Sequence, residues 1–197
     1  MRATMRFPQI LALLALTGCA HLEAGTSARR SPTPADYFPL AVGNEWIWED
    51  QSPQLPADRR GATRTVRIVE RTADGFYRDS ERGELRATGD CVRDRVRQLL
   101  CLPFTAGAAW KSVVSVSSTE KYQIAALDET QTTPAGVFRG CIRVRAINAA
   151  GAGAELVHEI SYAPGVGPVR IETFAVVDGA ATPQLRAVLK SYRLEGR

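Results

Sequence analysis

The sequence predicts an all-β domain: a single antiparallel meander, curled into a strongly curved sheet or a partly open barrel. Three observations predict it. Short stretches rich in β-branched and aromatic residues recur through residues 37–197. Several of them alternate apolar and polar positions with a period of two, and turn residues rather than helical segments separate them. About nine to eleven short strands without intervening helices argue for a meander or barrel over βαβ units. An antiparallel sheet of that size curls to protect its edges, so a curved, partly open barrel is favoured over a flat sandwich.

The chain opens with a different kind of segment. Arg2 and Arg6 precede the apolar run Ile10-Leu11-Ala12-Leu13-Leu14-Ala15-Leu16, which small residues close. The run is far shorter than the ~20 residues needed to span a bilayer, and a basic start with small residues at the end reads as an export signal. Leu16-Thr17-Gly18-Cys19 is similar to the lipobox of bacterial lipoproteins at every position. That resemblance implies cleavage between Gly18 and Cys19 and a diacylglyceryl group on the Cys19 thiol, a membrane anchor that needs no helix. Ala20 follows, where an aspartate retains enterobacterial lipoproteins in the inner membrane, so the outer membrane is expected. Residues 19–36 are small, polar and proline-containing, with Leu22 the one large apolar residue, and read as a flexible tether. The expected organisation is a signal over 1–18, lipidated cysteine and tether over 19–36, and the β-domain over 37–197.

Within the domain, strands are expected at Thr63–Thr72, Trp110–Val116, Tyr122–Leu127, Cys141–Ile147, Leu156–Tyr162, Val169–Val177 and Leu185–Leu194. In the last of these, Leu185, Ala187 and Leu189 share one face. Turn residues fill Asn148–Gly153, Ala163–Gly167 and Asp178–Pro183. One internal echo is visible. Phe38-Pro39-Leu40-Ala41-Val42-Gly43-Asn44-Glu45-Trp46 matches Leu102-Pro103-Phe104-Thr105-Ala106-Gly107-Ala108-Ala109-Trp110 as large-Pro-large-x-apolar-Gly-x-x-Trp. Proline fixes the entry, glycine supplies a turn and tryptophan opens a strand; two edge-plugging turns are the simplest reading. Trp46, Trp48 and Trp110 are expected as core anchors.

Three islands carry a resemblance. Phe38-Pro39-Leu40 with Gly43-Asn44 and Trp46, Pro134-Ala135-Gly136-Val137-Phe138, and Tyr162-Ala163-Pro164-Gly165-Val166-Gly167 resemble a group of bacterial lipoproteins and secreted proteins without an assigned activity. Pro168 departs from the pattern, standing where a larger apolar residue is usual. The resemblance implies the domain boundary and the β class, and supplies no catalytic residues.

Three cysteines remain once Cys19 is lipidated. Cys91 and Cys101 are ten residues apart and can face each other across a hairpin turning near Val96, given Cα atoms within ~7 Å. A set of buried, reduced thiols is the alternative, and a short helix over Val92–Leu100 competes with the hairpin. An exported domain meets an oxidising compartment, which permits the disulfide. No CxxC occurs, and outside the tether His158 is the one histidine, so neither a metal nor another cofactor is expected.

The formal charge of +4 falls to +2 when Arg2 and Arg6 leave with the signal. Arg93, Arg95, Arg97, Arg143 and Arg145 alternate with other residues and read as solvated strand faces, not a nucleic-acid stripe. His158-Glu159-Ile160-Ser161-Tyr162 begins like the zinc-protease motif, but Tyr162 takes the place of the second histidine and strand periodicity puts His158 and Glu159 on opposite faces. No nucleophile elbow or phosphate loop is present, and Asp128 and Glu129 read as solvated carboxylates beside a turn. The residues therefore point away from an enzyme. They point to a lipid-anchored envelope domain of binding or structural type whose partner, besides the membrane, is a protein, a wall component or a lipid. A carrier with a concave apolar sheet face and a hydrolase of unknown type are the alternatives.

Overall fold

Twelve strands form one antiparallel sheet, and their order in the chain explains its shape. β1 (Glu45–Asp50), β2 (Thr63–Arg71), β3 (Tyr77–Asp79), β4 (Glu84–Ala87), β5 (Cys91–Arg93) and β6 (Gln98–Cys101) step from the middle of the sheet to one edge. β7 (Ala109–Ser115), β8 (Ser118–Thr133), β9 (Gly136–Gly151), β10 (Ala154–Ala163), β11 (Gly167–Val177) and β12 (Ala180–Arg193) step back from the other edge, so that β12 pairs with β1. This computed structural model describes residues 30–56 and 58–196. The expected signal, Gly18, Cys19 and most of the expected tether lie outside the described residues.

The two edges are β6 and β7, consecutive in the chain, and the curvature of the sheet brings them together. Trp110 Nε1 donates to the Gln98 carbonyl at 2.7 Å, the Gln98 N–H donates to Ser112 Oγ at 2.9 Å, and Arg97 Nε reaches the Glu120 carboxylate at 3.0 Å. The sheet thus nearly closes into a barrel along a seam held by side chains. Its wall is uneven. β8 to β12 run 10 to 16 residues, whereas β3 to β6 run three or four. At ~3.3 Å per residue, one side of the barrel stands several times taller than the other.

One end is plugged. α1 (Pro34–Tyr37) sits there, started by Asp36, whose carboxylate accepts from the Thr33 N–H and hydroxyl, both at 2.7 Å. The compact unit runs from Pro32: Pro34 is buried, and the Asp36 carbonyl accepts from Gly165 N–H at 2.6 Å. Phe38 packs edge-on against Trp46 at 5.7 Å and lies 6.1 Å from the Tyr162 ring. The Trp46 indole N–H donates to the Val166 carbonyl at 2.8 Å. Gly167 has φ 109°, and a Cβ there would lie 3.2 Å from that indole nitrogen. The first and third sequence islands thus meet to close this end. Among the described residues the core, from Tyr37 to Leu194, belongs to the unit from Pro32 onward, so that unit carries its own core.

The sequence echo is a repeated turn. Asn44 N–H bonds to the Ala41 carbonyl, and Ala108 N–H to that of Thr105. Gly43 N–H then bonds to Ile68 O while Ile68 N–H bonds to Asn44 O; Gly107 N–H and Ile124 make the same pair of bonds with Ala108. Both glycines have positive φ, 97° and 85°, where a Cβ is strained. Each turn delivers its tryptophan to the first strand of a hairpin, Trp46 opposite Val66 and Trp110 opposite Tyr122.

Over Val92–Leu100 the chain forms the expected hairpin and not the competing helix: Val96 and Arg97 N–H groups both donate to Asp94 Oδ1 and turn the chain from β5 into β6. Three expectations change. Asp128 and Glu129 do not flank a turn but lie within β8, where bulges and a positive φ at Asp128 bend the β8–β9 hairpin. Its tip folds against β11 and β12, with Ala135 N–H on Leu189 O and Arg170 on Gln131 and the Thr132 carbonyl. The strands number twelve because β3 to β6 are too short to show periodicity, and β8 and β9 run longer than expected because they extend through polar residues. Trp110 is half-buried and stacks on Tyr122 at 5.6 Å, whereas Trp46 and Trp48 are buried anchors.

Candidate functional site

Alternation along β10 sorts its side chains between two surfaces. His158, Ile160 and Tyr162 face the barrel interior, and Val157 and Glu159 face out. The interior is not completely filled. One cavity of about 240 Å³ is walled by apolar residues, among them Trp46, Trp48, Leu85, Ile160 and Ile171, with Arg64 and Glu81 at its rim. A second of about 290 Å³ lies between Leu99, Val144, Ala146 and Ile160 and a polar wall of Arg97, Glu120, Tyr122 and His158. Leu99 and Ile160 line both, so the two chambers adjoin.

The polar wall is built from three elements. In β8, alternation puts Glu120 on the same inward face as Tyr122 and Ile124. Glu120 is buried, accepting from Tyr122 Oη at 2.5 Å and from Arg97 across the seam. Burial, then the hydrogen bond to Glu120, raises the Tyr122 hydroxyl above the ordinary phenol range, so it stays protonated. Arg97 is thus the partner of a buried carboxylate and not part of a solvated strand face. His158 Nδ1 lies 3.0 Å from Thr173 Oγ1 of β11, and Thr173 is buried. Burial lowers the His158 pKa, and nearby Glu120 offsets this in part, so the ring is neutral at pH 7.

The outward face carries a second set of charges. Glu159 accepts from Arg143 at 2.8 Å and from Arg145 at 2.7 Å, and Arg143 also binds Glu129. Across the next strands Glu172 accepts from Arg186 at 2.7 Å. Arg143 and Arg145 are therefore ion-paired on the outer face, and His158 and Glu159 do not meet. Burial raises the Glu159 pKa, but the hydrogen bonds from Arg143 and Arg145 outweigh it and hold it below the ordinary range.

The expected cysteine pair lies away from both chambers. The β5–β6 hairpin sets Cys91 directly opposite Cys101, with Cα atoms 4.2 Å apart and sulfurs 2.10 Å apart. Cys141 of β9 is a buried free thiol whose Sγ lies 3.6 Å from the Phe138 carbonyl of the β8–β9 hairpin. Among the described residues, no group of three or more His, Cys, Asp and Glu side chains converges to hold a metal ion. Sequence reasoning weighed His158 but missed Glu120, Tyr122, Arg97 and Thr173. The readable signal was Glu120, a charged residue in register with the inward-facing Tyr122 and Ile124.

No protein-family model and no curated protein matches the chain. Two solved structures overlap much of it. A candidate lipoprotein from Parabacteroides distasonis covers 83% of this chain and 100% of its own, with 14% identity and a TM-score of 0.46. A candidate exported protein with a YmcC-like fold from Bacteroides fragilis covers 80% of this chain and 98% of its own, with 16% identity and a TM-score of 0.45.

Proposed function

We propose that this chain is an exported, lipid-anchored bacterial envelope protein whose β-domain is a non-catalytic binding module with its ligand inside the barrel. The observation that carries the binding role is the pair of adjoining chambers, about 240 and 290 Å³, walled mainly by apolar side chains. Small-molecule sites have this character: mostly apolar walls with a few placed polar groups. The non-catalytic reading is supported by how the polar groups are engaged. Glu120 is held by Arg97 and Tyr122, and the His158 ring is paired with the buried hydroxyl of Thr173. Anchoring is supported by the basic start, the short apolar run and Leu16-Thr17-Gly18-Cys19, and the outer membrane by Ala20.

Both halves are testable in the cell envelope. Cys19→Ala is expected to abolish acyl labelling and to leave uncut precursor; unchanged labelling and processing would remove the anchor from the proposal. The unit Pro32–Arg197, exported, purified gently and weighed under native and then denaturing conditions, is expected to carry a small molecule that denaturation releases. A clean mass that also gains nothing from added apolar compounds would remove the ligand.

A further inference from the structure

The binding role proposed above leaves the kind of ligand open, and the His158 ring narrows it. Thr173 is buried, and its hydroxyl hydrogen has His158 Nδ1 as its one acceptor among the described residues, at 3.0 Å. A buried hydroxyl gives up its hydrogen to an acceptor where one exists. Thr173 therefore donates to Nδ1, which places the proton of the neutral ring on Nε2. His158 lines the second chamber, and Nε2 has no hydrogen-bond partner among the described residues. No buried side-chain nitrogen or oxygen is left unpaired, so Nε2 opens onto the chamber and is not sealed in the wall. The chamber thus offers the His158 Nε2–H donor among Leu99, Val144, Ala146 and Ile160, apart from the guanidinium that Glu120 and Asp94 hold.

The charges nearby decide what that donor can meet. Glu120 lies close enough to His158 to influence it, and the positive charge of Arg97 is already engaged by Glu120 and Asp94. A carboxylate entering beside Glu120 would meet a like charge with no free cation to offset it. A neutral oxygen acceptor meets neither obstacle. We propose, on the reading that the barrel interior is a ligand site, that it takes a small, uncharged aliphatic molecule bearing a carbonyl oxygen, such as a ketone, ester or lactone. The hydrocarbon part fills the chambers on either side of Leu99 and Ile160, and the oxygen accepts from His158 Nε2.

Trp46 and Trp48 line the first chamber, so intrinsic tryptophan emission reports filling. The unit Pro32–Arg197, which holds the whole core, is titrated with 2-nonanone and with n-nonane, molecules alike except for the oxygen. The ketone is expected to bind about three- to tenfold more tightly, the value of one net hydrogen bond. His158→Phe removes the donor and brings the two affinities together. His158→Gln, whose amide N–H reaches about as far as Nε2, restores the preference. Ile160→Trp fills the junction and weakens both probes. Equal affinities in the unaltered protein overturn the carbonyl proposal while leaving the chamber as a site. Failure of both probes to bind overturns the proposal and the ligand site together. Should His158→Phe fail to fold, the preference measured in the unaltered protein decides.

Discussion

Cys141 shows how far a single side chain depends on what folds over it. It is fully buried beneath the β8–β9 tip, and burial raises its thiol to about 11, so almost none of it is thiolate at neutral pH. Cys91 and Cys101 lie sulfur to sulfur across their hairpin. For the unit Pro32–Arg197, a maleimide is therefore expected to label no thiol in the native state, one in denaturant without reductant, and three after reduction. Labelling of the native protein would mean that the hairpin tip is not seated; three thiols without reduction would mean that the disulfide does not form. At this scale the sequence was legible in orientation and opaque in partnership. Period-two alternation was enough to put His158 and Glu159 on opposite faces. Nothing local could show that His158 meets Thr173, or that Arg97 crosses the seam to Glu120, because those partners arrive 15 and 23 residues later in the chain. Arg97 was misread for that reason: an arginine alternating with Val96 looks solvated until the far edge of the sheet returns to it.

The seam between β6 and β7 is the element on which closure depends, since no backbone ladder joins the two strands. Trp110 can be tested without disturbing its stacking on Tyr122. Trp110→Phe keeps an aromatic ring and removes the N–H that the Gln98 carbonyl accepts. The expected loss is about 1 kcal/mol, with faster amide exchange confined to β6 and β7. Exchange that accelerates equally in β10 and β11 would show that closure is shared by the whole sheet and not held at the seam. Elements were legible where their sequence carried a signal of its own. The echo placed two tryptophans after two positive-φ glycines, and the structure repeats the hydrogen bonds as well as the residues. β3 and β4 were not legible, because strands of three and four residues are too short for a period to emerge. The second half of β8 was lost because Asp128 to Thr133 is polar on both faces: one face is solvated, and the other meets Arg143 and Arg170.

For the whole molecule, alternation and turn spacing predicted a curved meander, and curvature is what they control. They did not predict that β12 pairs with β1, since that contact joins the two ends of the domain and leaves no mark on either segment. Closure creates the interior, and the interior makes stability depend on acid in a way that composition alone would not suggest. His158 is the one histidine of the folded unit. Its pKa is lowered by burial from its ordinary 6.5, so below that value the unfolded chain takes up a proton that the folded barrel refuses. Stability therefore falls as pH drops, by up to about 1.4 kcal/mol per pH unit between the unfolded and folded values. Glu159 adds a second loss. Its folded pKa lies below the ordinary 4.5, so its contribution is complete above that value and disappears as pH falls through the folded one. Chemical denaturation of the unit Pro32–Arg197 is expected to show stability declining below pH 6.5 and again below pH 4.5. Glu159→Gln should make the second decline shallower and cost roughly 2 kcal/mol at pH 7, because Arg143 and Arg145 lose a shared, nearly buried partner. A wild-type profile flat from pH 7 to 5 would mean that the folded barrel takes up the His158 proton as readily as the unfolded chain does, so that burial does not set the charge of that ring.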